Sequence, residues 1–298
     1  MKTFLILILL VCNSIIAAQE AKELLLQSDL QKILTYHAAH VPSPDPKQPW
    51  YGRSGFIHPV RTPSGRIVTD DFPRDHLHQH GIMMAWTSSI IDGKKVDFWN
   101  SHKKQGVIKH VETIRADANK IIVKLQHFNT TIQPPQVVLH ETWELTHVPH
   151  PTMHVFDLVS TQTNVMTKPL KLAKYKYGGL CVRGSEAWRK NGSFLTSNGK
   201  TRINGNHSRP KWVALYGKID GATCGIACLG HPKNFRAPQP VRIHPEFPYF
   251  SYAPMVTGEF KIEPAKPFIS RYRFAAFDGE PATQKLNALW NSYTGRAN

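Results

Sequence analysis

Long segments of alternating apolar and polar residues, separated by short turn sequences, are what most limits the folds open to this chain. Four of them follow one another, at residues 106–116, 120–128, 137–148 and 153–164. They are rich in Val, Ile, Thr and aromatic residues, and turn residues such as Asp117-Ala118-Asn119 stand between them, which is typical of antiparallel strands. This series predicts an all-β fold built from consecutive hairpins.

The last third of the chain extends the pattern and ends in a helix. Residues 211–218 and 222–229 predict a hairpin, and residues 267–277 predict a final strand. Apolar residues at helical spacing between residues 281 and 293 predict a short C-terminal helix. We therefore expect residues 19–298 to form one domain, a large antiparallel β-sandwich with few helices. A pocket on the concave face of one sheet is the default site.

The beginning of this domain is ambiguous. Residues 19–30 have the pattern of a short amphipathic lead, and the helical spacing could continue through Leu34. Residues 32–37 would equally suit a first strand.

The N-terminus predicts export. One positive charge, Lys2, precedes an apolar stretch at residues 5–11, and the small pair Ala17-Ala18 follows it. This is the layout of a signal peptide over residues 1–18, cleaved near Ala18, which makes the protein secreted or periplasmic. Beyond this segment no apolar run approaches the roughly 20 residues of a membrane span, so we expect no transmembrane anchor.

Three cysteines, Cys181, Cys224 and Cys228, remain after the predicted cleavage. Cys224 and Cys228 lie four residues apart on a predicted strand, which places their Cα atoms about 13 Å apart, too far for a disulfide. At most one bridge, from Cys181, is open to the chain. Three buried free thiols are the favoured alternative.

The chain is strongly basic, with 37 Lys and Arg against 21 Asp and Glu and a formal net charge of +16. An exported protein rarely meets nucleic acid, so we expect no nucleic-acid partner. The charge favours an anionic polysaccharide or a negatively charged envelope surface as partner, with solubility alone as the alternative.

The most unusual segment is Asp75-His76-Leu77-His78-Gln79-His80-Gly81. In an extended strand its three histidines would share one face. Imidazoles bind metals and also serve as acids or bases near neutral pH. Same-face neighbours are about 6.6 Å apart, so one divalent ion reaches two of these histidines easily and all three only if the segment curls. We expect His76 and His78 to act as acid–base groups or as metal ligands, with His80 as an additional candidate ligand.

A further metal ligand would come from elsewhere in the chain. The candidates are His58, His140, Glu144, His154 and His231. The alternative is a chance cluster of surface imidazoles, because the chain contains 16 histidines.

Asp75, Arg53 and His58 are candidates for positioning and for substrate binding. Asp75 stands beside His76, where it could orient the imidazole or act as an acid or base itself; a turn residue is the alternative. Arg53 and His58 flank the segment Ser54-Gly55-Phe56-Ile57. An arginine suits sugar hydroxyls and carboxylates, although an ordinary surface arginine fits the sequence as well.

A second polar group, His231-Pro232-Lys233-Asn234-Phe235-Arg236, follows the predicted hairpin. Strand ends are frequent places for functional side chains. Here His231 is a second acid–base candidate, and Asn234 and Arg236 are candidates for binding substrate oxygens together with Arg183. An ordinary polar loop is the alternative.

Several of these blocks together resemble the bacterial PmoA-like family. They are Arg53-Ser54-Gly55-Phe56-Ile57-His58-Pro59, Thr62-Pro63-Ser64-Gly65, the histidine segment from Asp75 to Gly81, Val96-Asp97-Phe98-Trp99, Tyr177-Gly178-Gly179 and His231-Pro232-Lys233-Asn234. The resemblance extends over residues 32–292. Members of that family often carry His-His-Arg where this chain has His78-Gln79-His80, so the resemblance includes His76 and His78 but not His80.

The resemblance implies a secreted or periplasmic sandwich of the galactose-mutarotase-like, super-sandwich kind. The family label borrows the name of a methane monooxygenase subunit, an integral membrane protein with several spans. This chain has one removable apolar segment, which argues against a methane or copper oxygenase.

The sequence thus favours a secreted carbohydrate-active enzyme, an epimerase, lyase or hydrolase, acting on a sugar or oligosaccharide through the histidine segment. Its partner would be that saccharide, with an anionic polysaccharide as one form of it. A non-catalytic glycan-binding sandwich is the alternative. Removal of a proton beside a carbonyl or carboxylate needs a base and an electrophile, which histidine with arginine or a metal can supply.

Overall fold

The computed structural model describes residues 21–28 and 31–296, and it confirms the predicted all-β sandwich with a short C-terminal helix. The predicted signal peptide lies outside these residues. The strands, in chain order, are β1 (Glu23–Ser28), β2 (Gln31–His37), β3 (Phe56–Val60), β4 (Ile82–Ala85), β5 (Ser89–Ile91), β6 (Lys94–Val96), β7 (Gly106–Ala116), β8 (Lys120–Asn129), β9 (Gln136–Val148), β10 (Met153–Asn164), β11 (Leu170–Leu172), β12 (Gly179–Arg183), β13 (Ser193–Thr196), β14 (Trp212–Ile219), β15 (Ala222–Gly230), β16 (Val241–Ile243), β17 (Tyr249–Tyr252), β18 (Phe260–Ile262) and β19 (Pro267–Asp278).

Helices are few. The α-helix α1 spans Thr283–Thr294, and short 3₁₀ turns lie at Pro49–Tyr51, Ser101–Lys103, Glu186–Trp188 and Pro254–Thr257. Within the described residues, no helix combines the length and apolar character that a membrane span requires.

The strands form three antiparallel sheets. The largest has eight strands in the order β13-β14-β15-β19-β10-β9-β8-β7, and the second has seven in the order β1-β2-β3-β4-β12-β17-β16. A small sheet of four strands has the order β18-β11-β5-β6. The four consecutive long segments of the sequence form β7 to β10, each beside its neighbour in sequence, which is how hairpin-connected strands pair.

The main core contains buried side chains from both large sheets, and a second core lies under α1. In the main core Tyr36 of β2 meets Trp143 of β9 with ring centroids 6.1 Å apart. In the second, Leu286 and Trp290 of α1 pack against Trp212 on the eight-stranded sheet. Helix α1 therefore covers the part of the outer face formed by β10, β14, β15 and β19, which stabilises the sheet through buried apolar area.

The helical interpretation of residues 19–30 is wrong where these residues are described, because Glu23–Ser28 is the strand β1 paired with β2. Leu24 and Leu26 are buried and Leu25 is less so, which is the period of two of a strand. Cys181, Cys224 and Cys228 are free and buried, the favoured alternative from the sequence.

Gly81 fixes where the histidine segment joins the seven-stranded sheet. Its φ is +38°, and a Cβ at this position would collide with the carbonyl oxygen of Ile57 on β3. Its nitrogen donates to the carbonyl oxygen of Asp70, and its own carbonyl accepts from Arg183 of β12. A glycine is needed here because L side chains rarely adopt this conformation and no space remains for one.

Candidate functional site

The histidine segment does not form a strand, so the expectation of three histidines on one face is wrong. The nitrogen of His76 donates to the carbonyl of Pro73, and that of Gln79 donates to the carbonyl of His76, which makes two successive turns. These turns separate the histidines. His76 and His78 line one cavity, whereas His80 is buried behind them with its Nδ1 atom 2.6 Å from Asp71 Oδ1.

Asp75 is the centre of a charge network beneath the cavity. Its carboxylate accepts two hydrogen bonds from Arg183, at 2.7 and 2.8 Å, and one from Arg189 at 2.6 Å. The side chains of Asp75 and Arg183 are 4% and 0% exposed. Burial disfavours the charged carboxylate, but hydrogen bonds from His76 and Arg183 outweigh it and hold the pKa of Asp75 well below its usual range.

The same carboxylate orients His76. The Nδ1 atom of His76 donates to Asp75 Oδ2 over 2.7 Å. This bond fixes the tautomer, so the lone pair is on Nε2. Among the described residues Nε2 has no hydrogen-bond partner, and the imidazole lines the cavity. A carboxylate-held imidazole with an accessible second nitrogen is the arrangement of a general base.

The cavity measures about 440 Å³ and lies against one end of the seven-stranded sheet. Its walls come from four separate parts of the chain: the histidine segment, the loop after β6, the loop before β12 and the β16–β17 hairpin. The lining residues are His76, His78, Trp99, Asn100, His102, Lys103, Tyr175, Lys176, Tyr177, Arg242, His244 and Tyr249.

The imidazoles in this cavity pack against one another. The ring centroid of His76 lies 5.4 Å from that of His78, 5.7 Å from that of His244 and 5.8 Å from that of Tyr249. His78 in turn lies 5.8 Å from His102. Burial, with nearby positive charge, lowers the pKa of His78 to about 3 and that of His244 to about 4. Both are therefore neutral at pH 7 and can donate and accept hydrogen bonds.

The remaining lining groups are aromatic rings and cations. Burial raises the pKa of Tyr249 to about 12, so its hydroxyl keeps its proton. Lys103 is paired with Asp97 at 2.7 Å. The buried Nε atom of Arg242 has no hydrogen-bond partner in the described protein. None of the described lining residues is Asp or Glu, so the cavity favours an anionic ligand.

No three His, Cys, Asp or Glu side chains within residues 21–28 and 31–296 are arranged to hold a metal ion. The proposed additional ligands lie elsewhere: His140 faces Gln126, Glu144 pairs with Lys120, and His154 is bonded to Gln31 and the Arg61 carbonyl. A divalent ion on His76 and His78 stays a prediction.

Arg183, Arg53 and His58 lie near the histidine segment but outside the lining of the cavity. Arg183 holds Asp75. Arg53 is buried on the far side of His78 and donates to the Met84 carbonyl over 3.3 Å. His58 lies 3.0 Å from Thr69 Oγ1 in another cleft, and burial lowers its pKa to about 4. Neither Arg53 nor His58 lines the His76 cavity, and substrate contact by these residues stays a prediction.

The second polar group of the sequence lies around a different cavity. His231 and Asn234 line it. Asn234 is occupied by two hydrogen bonds to the backbone of Arg271, each 2.8 Å long. Arg236 donates to the carbonyls of Pro254, Gly258 and Glu259. The structure thus brings His76, His78 and Asp75 together and leaves His231, Asn234 and Arg236 apart from them.

Of the residues that line the cavity, the sequence identified only His76 and His78 as site candidates. His102, Arg242, His244 and Tyr249 come from segments that carry no recognisable motif, as does Arg189, which bonds to Asp75. The one local signal was the Arg-x-His spacing of Arg242 and His244 on a strand end, where alternate side chains share a face.

Two solved structures resemble the fold at low similarity. One is a heparan sulfate lyase HepC from Pedobacter heparinus, with 10% identity and a TM-score of 0.41, covering 84% of this chain and 33% of that one. The other is a galactose mutarotase related enzyme from Lactobacillus acidophilus, with 8% identity and a TM-score of 0.44, covering 87% of this chain and 97% of that one. The chain thus spans about a third of the lyase.

No curated protein matches the chain. A family model, described as "Family of unknown function (DUF6807)", matches residues 23–291, and the chain belongs to this family.

Proposed function

We propose that this protein is a carbohydrate-active enzyme that removes a proton from a carbon beside a carboxylate, in a uronic-acid residue of a saccharide. The observation that carries the proposal is the Asp75–His76 pair, whose Nε2 atom opens into a cavity lined by cations and aromatic rings. A base of this kind and an anion-binding wall are what such a proton transfer needs.

The lining residues divide this work among them. His76 Nε2 accepts the proton from the carbon. Arg242 and Lys176 bind the carboxylate and stabilise the charge that builds up on it. The half-buried rings of Tyr175 and Tyr177 offer apolar faces to the sugar.

In the elimination form of the reaction, the electron pair of the broken C–H bond becomes a C=C bond. The bond from the neighbouring carbon to its glycosidic oxygen breaks at the same time. Tyr249, which keeps its proton at neutral pH, gives that proton to the leaving oxygen. The products are an unsaturated uronic residue and a free hydroxyl group, which is lyase chemistry.

Epimerisation would share the first step and return a proton to the opposite face of the carbon. Hydrolysis is disfavoured, because it usually requires two carboxylates that flank the glycosidic bond, and no carboxylate lines the described part of this cavity. The resemblance to the PmoA-like family supplies no reaction of its own, and a methane oxygenase remains disfavoured.

The test is incubation with polygalacturonate, alginate and heparan sulfate in deuterated water. An ultraviolet-absorbing double bond identifies a lyase, and deuterium on the carbon without chain cleavage identifies an epimerase. If none of the three polymers yields either product, the proposal is contradicted. If the protein binds a saccharide without turning it over, and His76→Ala leaves that binding intact, the chain is a glycan-binding sandwich instead.

The predicted divalent ion has its own measurement. Elemental analysis of the purified protein should be repeated on the double variant His76→Ala/His78→Ala. One equivalent of metal that disappears in the double variant would support a metal site at these two residues.

A further inference from the structure

The second cavity has a cationic mouth. It measures about 280 Å³ and lies at the end of β15, between the loop that carries His231 and helix α1. Lys211, Trp290 and Arg296 form part of its lining. The Nζ atom of Lys211 lies 4.6 Å from the ring centroid of Trp290, and the guanidinium of Arg296 lies 4.9 Å from it.

These two cations are free to bind an anion. Both side chains are exposed, and neither has an acidic partner among the described residues. Their contact with the Trp290 ring limits where the charged groups can move. Trp290 itself is almost fully buried, and its Nε1 atom donates to the Gly230 carbonyl, so the ring serves as a support for the cations.

Two neighbouring segments connect this cavity with the His76 cavity. Residues 237–239 line the second cavity, and Arg242 and His244, a few positions further on, line the first. Gln239 and Arg242 are three residues apart, which is about 10 Å along an extended chain. One short stretch of backbone therefore contributes to both sites.

The second segment, residues 207–211, runs antiparallel beside the first. The nitrogen of His207 donates to the Val241 carbonyl over 2.6 Å, and the nitrogen of Val241 donates to the Ser208 carbonyl over 2.9 Å. At one end His207 Nε2 lies 3.2 Å from the carbonyl oxygen of Lys176, which lines the first cavity. At the other end of this segment, Lys211 lines the second cavity.

We infer that the two cavities are two subsites for one anionic oligosaccharide, which places a further negatively charged sugar at Lys211 and Arg296 while its reacting residue lies beside His76. This deepens the proposed function and rests on it for the reacting residue. The substrate is then a polyanionic chain and not a monosaccharide. Exposed cations at both ends complement such a ligand in charge.

The test compares Lys211→Glu/Arg296→Glu with Lys218→Glu/Lys32→Glu. Both double variants change the net charge equally, and Lys218 and Lys32 are exposed residues that line neither cavity. Each is made in the full-length protein carrying His76→Ala, which prevents turnover. Binding is measured by calorimetry with polygalacturonate, alginate and heparan sulfate, and with the disaccharide of each polymer.

We expect the Lys211→Glu/Arg296→Glu protein to bind the preferred polymer about tenfold more weakly, since two surface charge contacts are lost. Binding of the disaccharide should stay unchanged. A preference for polygalacturonate or alginate identifies carboxylates as the recognised groups, and a preference for heparan sulfate identifies sulfates.

Equal weakening by both double variants would overturn the inference, because it would show a general charge effect. Unchanged polymer binding, or no binding of any polymer by the parent protein, would overturn it as well. If polymer binding depends on Lys211 and Arg296 but no polymer is turned over by the wild-type protein, the subsite stands and the proposed reaction fails.

Discussion

The His76 cavity and the His231 cavity both contain histidine, arginine or lysine and an aromatic ring, but their polar side chains are used differently. Around His76, buried charges hold one imidazole by one nitrogen and leave the other open to the cavity. Beside His231, the Asn234 side chain is bonded to backbone atoms of a neighbouring strand. The difference shows that residue types alone do not define a reactive site; the hydrogen-bond partner of each group does.

Breaking the charge network should have the largest effect. Asp75→Asn removes the buried carboxylate that pairs with Arg183, which is 0% exposed, and leaves that arginine with the more distant and more exposed Glu186, 3.8 Å away. Breaking such a pair costs about 3–5 kcal/mol. We expect the free energy of unfolding, measured with denaturant, to fall by that amount, and turnover to fall with it.

Asp278→Asn is the control for this variant. Asp278 accepts hydrogen bonds from Thr62 and Ser64 near the surface, away from both cavities. A loss of stability from Asp75→Asn no larger than that from Asp278→Asn would contradict a central role for the network.

The next effect separates the two histidines. His76→Ala should lower kcat by a factor of about 10²–10⁴, the usual contribution of a general base. His231→Ala should leave kcat on a disaccharide unchanged, because His231 lies in the other cavity. The saccharide assay with both variants measures this, and equal losses would remove the distinction between the cavities.

Asn234→Ala should affect stability and not chemistry. It removes two hydrogen bonds with the backbone of Arg271 and leaves the carbonyl of that residue with the long, 3.3 Å bond from the His231 nitrogen, at a cost of about 1–3 kcal/mol. Denaturant unfolding should show the loss while kcat stays at the wild-type value. If kcat falls under conditions in which the variant is fully folded, Asn234 contacts the substrate.

The smallest effect concerns pH. The pKa of His78 is about 3 in the folded protein, against 6.5 for an unperturbed histidine. Between these values the unfolded chain binds a proton that the folded one does not, so the stability present above pH 6.5 is lost as the pH falls. His78→Asn should reduce this slope by up to about 1.4 kcal/mol per pH unit. An unchanged slope from pH 6 to 4 would contradict the burial of a neutral His78.

The sequence predicted the sheets better than the site. The long strands were recognisable because each buries alternate residues along ten or more positions, a signal that is local and repeated. The strand β1 was missed because its six residues are too few to separate a period of two from a helical one. The spacing of Leu24 and Leu26 distinguishes a strand from a helix only once the pairing of β1 with β2 is known.

For the site, the sequence identified residues that are close together in the chain and missed those that the fold brings to the cavity from distant segments. His76, His78 and Asp75 stand together in the chain. Their geometry still depended on Gly81 and on a hydrogen bond from Arg183, about 100 residues later, and no local pattern predicts either. His244 and Tyr249 contact His76 only because β17 pairs with β12.

The anchoring of Asp75 by Arg183 divides the cavity into a constant and an exchangeable part. The base is fixed to strand β12 of the sheet, whereas the opposite wall comes from the β16–β17 hairpin and the loop after β6. Replacing the loop at residues 99–103 with that of another family member should therefore change which saccharide is accepted and keep the proton-abstracting pair intact. Members of the family could in this way differ in the saccharide that they bind and share the same proton-transfer step.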